Sequence, residues 1–96
     1  MTQQSKEFYL LLLEYALVEI RALQTNGELE DAPKWADVFH NVPGAVRLPW
    51  TVEREQRIRA QLHEKARLYG LSERLARWES RAIESLNASG KSNGLS

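Results

Sequence analysis

The apolar positions of this chain recur three and four residues apart, and nowhere do they alternate with the two-residue period of a strand. Four helices follow from that spacing. The first is predicted from Ser5 to Thr25, with Ser5 as N-cap, Glu7 in the first turn and Asn26-Gly27 as the stop. Its apolar surface is wide. Phe8, Leu11, Leu12, Tyr15, Val18 and Ala22 form one stripe, and Tyr9, Leu13, Ala16, Leu17, Ile20 and Leu23 form a second. A surface helix ordinarily buries one stripe of roughly 100°. Two stripes need cover on two sides, either in the middle of a bundle or from another subunit.

A short second helix is expected from a cap at Asp31, with Pro33 in its first turn, to Val42, where Pro43 disfavours helix at the preceding residue. Trp35, Val38, Phe39 and Val42 are its inward positions. Residues 43–50 hold two prolines and a glycine and read as an ordered connection, laid on the core by Val46, Leu48 and Trp50. The third helix starts at the cap residue Thr51 and reaches Tyr69, ahead of Gly70. Ile58, Leu62, Ala66 and Tyr69 form its stripe, with Glu53–Arg57 and Glu55–Arg59 as favourable i,i+4 pairs. A fourth helix runs from Ser72 to Leu86 or Asn87, with Leu71, Leu75, Trp78, Ala82 and Leu86 inward. Residues 88–96 are small and polar and are expected to form a flexible tail. The predicted fold class is therefore all-α. It is a small bundle of three long helices and one short helix, with a proline-rich connection between the second and third, in a single domain over residues 1–87.

Composition narrows the function. Apolar residues make up 43% and charged residues 27% of 96, the balance of one globular domain rather than a disordered chain. With no cysteine there is no disulfide and no thiolate chemistry, which fits a cytoplasmic setting. Lysine plus arginine and aspartate plus glutamate number 13 each, so bulk charge draws the chain to neither nucleic acid nor anionic membrane. Glu7, Glu14, Glu19 and Arg21 interrupt the N-terminal apolar stretch, which argues against a membrane span and against a secretory leader.

The most distinctive segment is Ala36-Asp37-Val38-Phe39-His40-Asn41-Val42-Pro43. On a helix, Asp37, His40 and Asn41 share one face, opposite Trp35 and Phe39. A carboxylate beside an imidazole can fix its tautomer for acid–base or metal chemistry. Near a helix end, the same residues equally satisfy stranded backbone groups. Behind a leucine-rich first helix, this A-D-x-[FL]-H-N-x-P string resembles one found in small bacterial helical proteins of about this size. The resemblance covers residues 8–50. It implies a bacterial origin and a recurring helical design. That family has no assigned activity, so it transfers no role to Asp37, His40 or Asn41.

Metal binding would need three or four converging ligands. The chain offers His40 and His63, on either side of the proline-rich connection, and no phosphate-binding glycine loop or nucleophile elbow. No cofactor or metal is expected. Arg67, Arg74, Arg77 and Arg81, around the Tyr69-Gly70-Leu71-Ser72 turn, superficially resemble a helix-turn-helix surface, but glutamates are interleaved with them. Trp35 and Trp78 fit core stripes, whereas Trp50 can serve as a staple or as an exposed anchor for a partner.

Three readings remain. The favoured one is a non-enzymatic protein–protein interaction module, antitoxin-like or immunity-type inhibitors included. It would form a homodimer or higher homo-oligomer through the first helix, and its partner-binding residues would be Asp37, His40, Asn41 and Trp50. The alternatives are a nucleic-acid-binding regulator using the arginines of the last two helices, and a metal-dependent or acid–base enzyme centred on Asp37 and His40.

Overall fold

In the computed structural model, which describes residues 4–95 and side chains through residue 88, the first helix, α1, spans Lys6–Thr25. The Ser5 hydroxyl caps it by accepting the Phe8 N–H at 3.3 Å. The helix ends in a Schellman turn. Gly27 takes φ 78°, its N–H donates to the Gln24 carbonyl at 3.2 Å, and the Glu28 N–H donates to Leu23 at 2.8 Å.

The expected second helix is two pieces, α2 (Ala32–Val38) and α3 (Val42–Ala45). Between them the backbone tightens into three-residue turns, His40 N–H to the Asp37 carbonyl at 3.2 Å and Val42 N–H to Phe39 at 3.1 Å. Pro43 therefore sits in the first turn of a new helix instead of beyond the end of the old one. An N–H in a first turn has no intrahelical partner, so a proline loses nothing there. Asp31 departs from expectation too. It holds the cap position of α2 in a helical conformation, makes no side-chain cap, and pairs with Lys34 at 3.1 Å.

Helix α4 spans Val52–Leu68. Thr51 caps it, its hydroxyl accepting the Arg54 N–H at 3.1 Å. It closes as α1 does, with Gly70 at φ 70° and the Leu71 N–H on the Ala66 carbonyl at 2.7 Å. Helix α5 spans Ser72–Leu95, so its backbone runs on past the expected stop near Leu86 or Asn87. Of the flexible tail expected over residues 88–96, the side chains from residue 89 onward lie outside those described.

The result is an all-α bundle, with no strand among the described residues. Helix α1 packs on α2 and α5, α4 packs on the same two, and α3 touches both α1 and α4. Trp35, 1% exposed, is the largest core side chain. It stacks on Trp78 with centroids 4.3 Å apart, and Phe39 lies 6.3 Å from each ring. Helix α1 supplies Phe8, Tyr9, Leu12, Ala16 and Leu23, an arc that straddles the two predicted stripes. The outer edges of those stripes lie in solvent: Val18 is 62% exposed and Leu17 is 53% exposed, so the chain's own bundle does not supply the cover expected for them. Neighbours on two sides cover α1, and the sector opposite the core stays open. No helix among the described residues is long and apolar enough to cross a membrane.

Candidate functional site

The four residues expected to gather at one face fall into two groups at opposite ends of α4. Asp37, on the last turn of α2, reaches the C-terminal end of α4. Its carboxylate accepts the Tyr69 hydroxyl at 2.6 Å and the Lys65 ammonium at 3.0 Å, one on each oxygen. Those two donors, Tyr69 first, hold the Asp37 carboxyl below its usual range. Asn41 donates from its side-chain amide to Gln61 on the same helix, at 3.1 Å. His40 is exposed, and its ring makes no hydrogen bond among the described residues. No hydrogen bond joins Asp37 to His40 among the described residues; the carboxylate is turned instead to Lys65 and Tyr69.

Trp50 lies elsewhere. Its indole N–H donates to the Gln4 carbonyl at 3.1 Å, and its ring packs on Tyr9 at 5.5 Å. Tyr9 in turn contacts Glu55, ten residues before Lys65, which at 1.5 Å per residue is about 15 Å along α4. Trp50 is half-buried and joins the chain start to the beginning of α4.

Beneath Trp50 is a polar centre of which the sequence showed the Glu55–Arg59 pair but neither its burial nor its third member, Tyr9. Glu55 is 1% exposed, the one charged residue buried among those described. One carboxylate oxygen accepts the Tyr9 hydroxyl at 2.5 Å and two guanidinium N–H groups of Arg59, at 3.0 and 2.7 Å. Burial first, and the bond to Glu55 second, push the Tyr9 phenol far above its ordinary value. No buried side-chain polar atom among the described residues lacks a partner. A signal for this site exists in the sequence. Glu55 continues the stripe of Ile58, Leu62 and Ala66 one step back, and Arg59 stands four residues ahead of it.

The remaining polar chemistry also ties helices together. His63 on α4 meets Glu79 on α5 at 2.8 Å, and Arg74 on α5 meets Glu19 on α1 at 2.8 Å. Arg81 lies over the Tyr15 ring at 4.9 Å, and Arg67 binds Glu64 within its own helix. Of the four arginines considered for nucleic acid, Arg77 alone has no such contact among the described residues. It lines a cleft of about 290 Å³ with Lys34, Arg74, Trp35 and Leu71, where Asp31 and Glu73 offset the positive charge. No group of three or more His, Cys, Asp or Glu side chains that could hold a metal is found among the described residues.

The outer side of α1 carries three exposed apolar side chains together with three charged ones. Leu10, Leu17 and Val18 are 40, 53 and 62% exposed, and no hydrogen bond or ion pair is made by the side chains of Glu7, Glu14 or Arg21 among the described residues. No protein-family model, curated protein or solved structure matches the chain.

Proposed function

We propose that the protein is a non-enzymatic protein–protein interaction module that self-associates through α1. One observation carries this reading: the helix that gives five side chains to the core also turns Leu10, Leu17 and Val18 to solvent. Scattered apolar side chains are normal on a monomer surface. Three on one face of one helix, set on either side of a row of charged side chains, make a surface that offers both apolar area and charge to a partner. Asp37, Asn41 and Trp50 hold neighbouring segments in place in this reading, and His40 offers a side chain to a further partner.

The nucleic-acid reading has weaker support, since Arg67, Arg74 and Arg81 are already engaged within the chain. The enzymatic reading lacks the contact between Asp37 and His40 on which it was built.

Sedimentation equilibrium over a wide concentration range tests the proposal. The wild type should show a monomer–dimer equilibrium, and Leu17→Glu, at an exposed position, should be monomeric with an unchanged helical spectrum. A wild type that stays monomeric to millimolar concentration would refute it.

A further inference from the structure

The outer face of α1 is ordered in three parallel rows. Leu10 and Leu17 form one, Leu11 and Val18 another, and Glu7, Glu14 and Arg21 run between them at seven-residue intervals. At 100° per residue, Glu14 points about 160–200° away from Leu12 and Ala16, the middle of the buried arc. A partner docked here lies along α1 and meets α5 only at the N-terminal end of the face, at Ser85 and Leu86. The face also has a depression at each end. One, of about 330 Å³, is lined by Glu7, Leu10, Leu11 and Glu14 with Ser85 and Leu86 of α5. The other, of about 340 Å³, is lined by Val18, Arg21, Ala22, Thr25 and Asn26.

The charges of the middle row read negative, negative, positive along the helix. That order selects an occupant. A second copy laid parallel sets Glu7 beside Glu7 and Arg21 beside Arg21. A second copy laid antiparallel sets each Glu7 beside the other's Arg21, twice over, and brings Leu10 and Leu11 of each against Leu17 and Val18 of the other. The similar depressions at the two ends then each receive the opposite end of the second copy's rows. Such an isologous contact closes at two chains.

We propose that two copies of this chain dock antiparallel along α1, about a two-fold axis at Glu14, with Glu7 of each beside Arg21 of the other. The inference rests on the reading that α1 is the self-association surface. Glu14 faces its own copy across the axis, and that like-charge pair keeps the dimer weak.

The absence of cysteine makes a clean test possible. Gln24 is exposed and stands ten residues beyond Glu14. Spin labels on Gln24→Cys should be separated by about 30 Å along the helices in the antiparallel dimer, against an axis spacing of about 8–10 Å in a parallel one. Double electron–electron resonance on the full chain reads that distance. Glu7→Arg and Arg21→Glu should each weaken dimerisation by about 10-fold, and the two together should restore it. Glu14→Gln should tighten it by about 2- to 5-fold. A short label distance, or a double swap that fails to restore association, overturns the antiparallel pairing while self-association stands. An unchanged affinity in Glu14→Gln overturns the position of the axis. A wild type without dimer overturns the self-association reading itself.

Discussion

Replacing Tyr9 by phenylalanine removes one oxygen from the α1–α4 contact and leaves the ring to fill the same space against Phe8 and Trp50. The lost atom donates at 2.5 Å to a carboxylate that is 1% exposed. A hydrogen bond to a charged group contributes about 1.5–3 kcal/mol, and water cannot easily replace it at a site this dry. Glu55 keeps the two Arg59 donors to the same oxygen, so the loss should stop short of the about 3–5 kcal/mol expected when a buried pair loses a whole partner. A cost of about 2 kcal/mol is a large part of the total for a domain of this size. It corresponds to a melting point lower by about 8–16 °C.

The alkaline limb gives the same variant a second signature. The folded-state value of the Tyr9 phenol is raised, so its contribution to stability is complete below the unfolded value of 10.0. Above that pH the unfolded chain releases the proton while the folded chain keeps it. Stability should then fall by at most about 1.4 kcal/mol per pH unit. The phenylalanine variant should lose most of this slope and retain the smaller part due to Tyr69, whose hydroxyl is raised by its bond to Asp37. Urea denaturation at pH 7 and between pH 9 and 11 measures both effects, at one protein concentration so that association does not shift the midpoint. A loss under about 0.5 kcal/mol at pH 7, within the range of inert surface changes, would refute the reasoning. So would a coupling of that size in a double-mutant cycle with Glu55→Gln.

Three further outcomes are expected. Trp35→Ala, which empties the centre of the aromatic stack, should destabilise by about 3–5 kcal/mol in thermal or urea melts. Asp37→Asn should lower stability at neutral pH. Because the Asp37 carboxyl is held below its usual range, its contribution is present above the unfolded value and disappears as the pH falls through the folded one. The melting points of variant and wild type should therefore converge on acidification, and parallel curves would show that the Lys65 and Tyr69 contacts are not made. Gly70→Ala forces a Cβ into φ 70° and should cost about 1–2 kcal/mol, although open space surrounds the site.

What could be read from the sequence is what local chemistry decides. The caps at Ser5 and Thr51 and the turns at Gly27 and Gly70 need only their neighbours, and both ends of α1 and α4 were placed by them. The inward positions Trp35, Leu62 and Leu75 followed from period alone. Pro43 was misread because a proline stops one helix and starts another by the same missing N–H, and only the tightening at His40 and Val42 decides which. Asp31 failed as a cap because its backbone entered the helical region early and its carboxylate had Lys34 within reach. For Val18 and Leu17 the sequence left open whether the bundle or another subunit covers them. Hydrophobicity says that a position can be buried but not which neighbour is there to bury it, and the chain's own helices do not bury these two. Glu55 was the converse case: a charged residue on an apolar stripe, where Tyr9 from another helix supplies the donor that makes burial tolerable.

The positions on α1 and its partner Glu55 depend on how the other helices are arranged around α1. The ring of helices spends its polar side chains on cross-links, Tyr9 to Glu55, Asp37 to Lys65 and Tyr69, His63 to Glu79, and Arg74 to Glu19. Each of them joins α1 or α2 to a later helix, or α4 to α5, and so fixes the ring at several points. The outer side of α1 has the opposite character. Leu10, Leu17 and Val18 are exposed there, and the side chains of Glu7, Glu14 and Arg21 make no hydrogen bond or ion pair among the described residues. The same helix gives five side chains to the core on its other side. A bundle of this length has little apolar surface to spare for its core. Two leucines and a valine on the outer side of α1 are apolar surface that the chain's own core does not use and that a docked second surface would cover. That imbalance, more than any single residue, makes α1 the place where association should be sought.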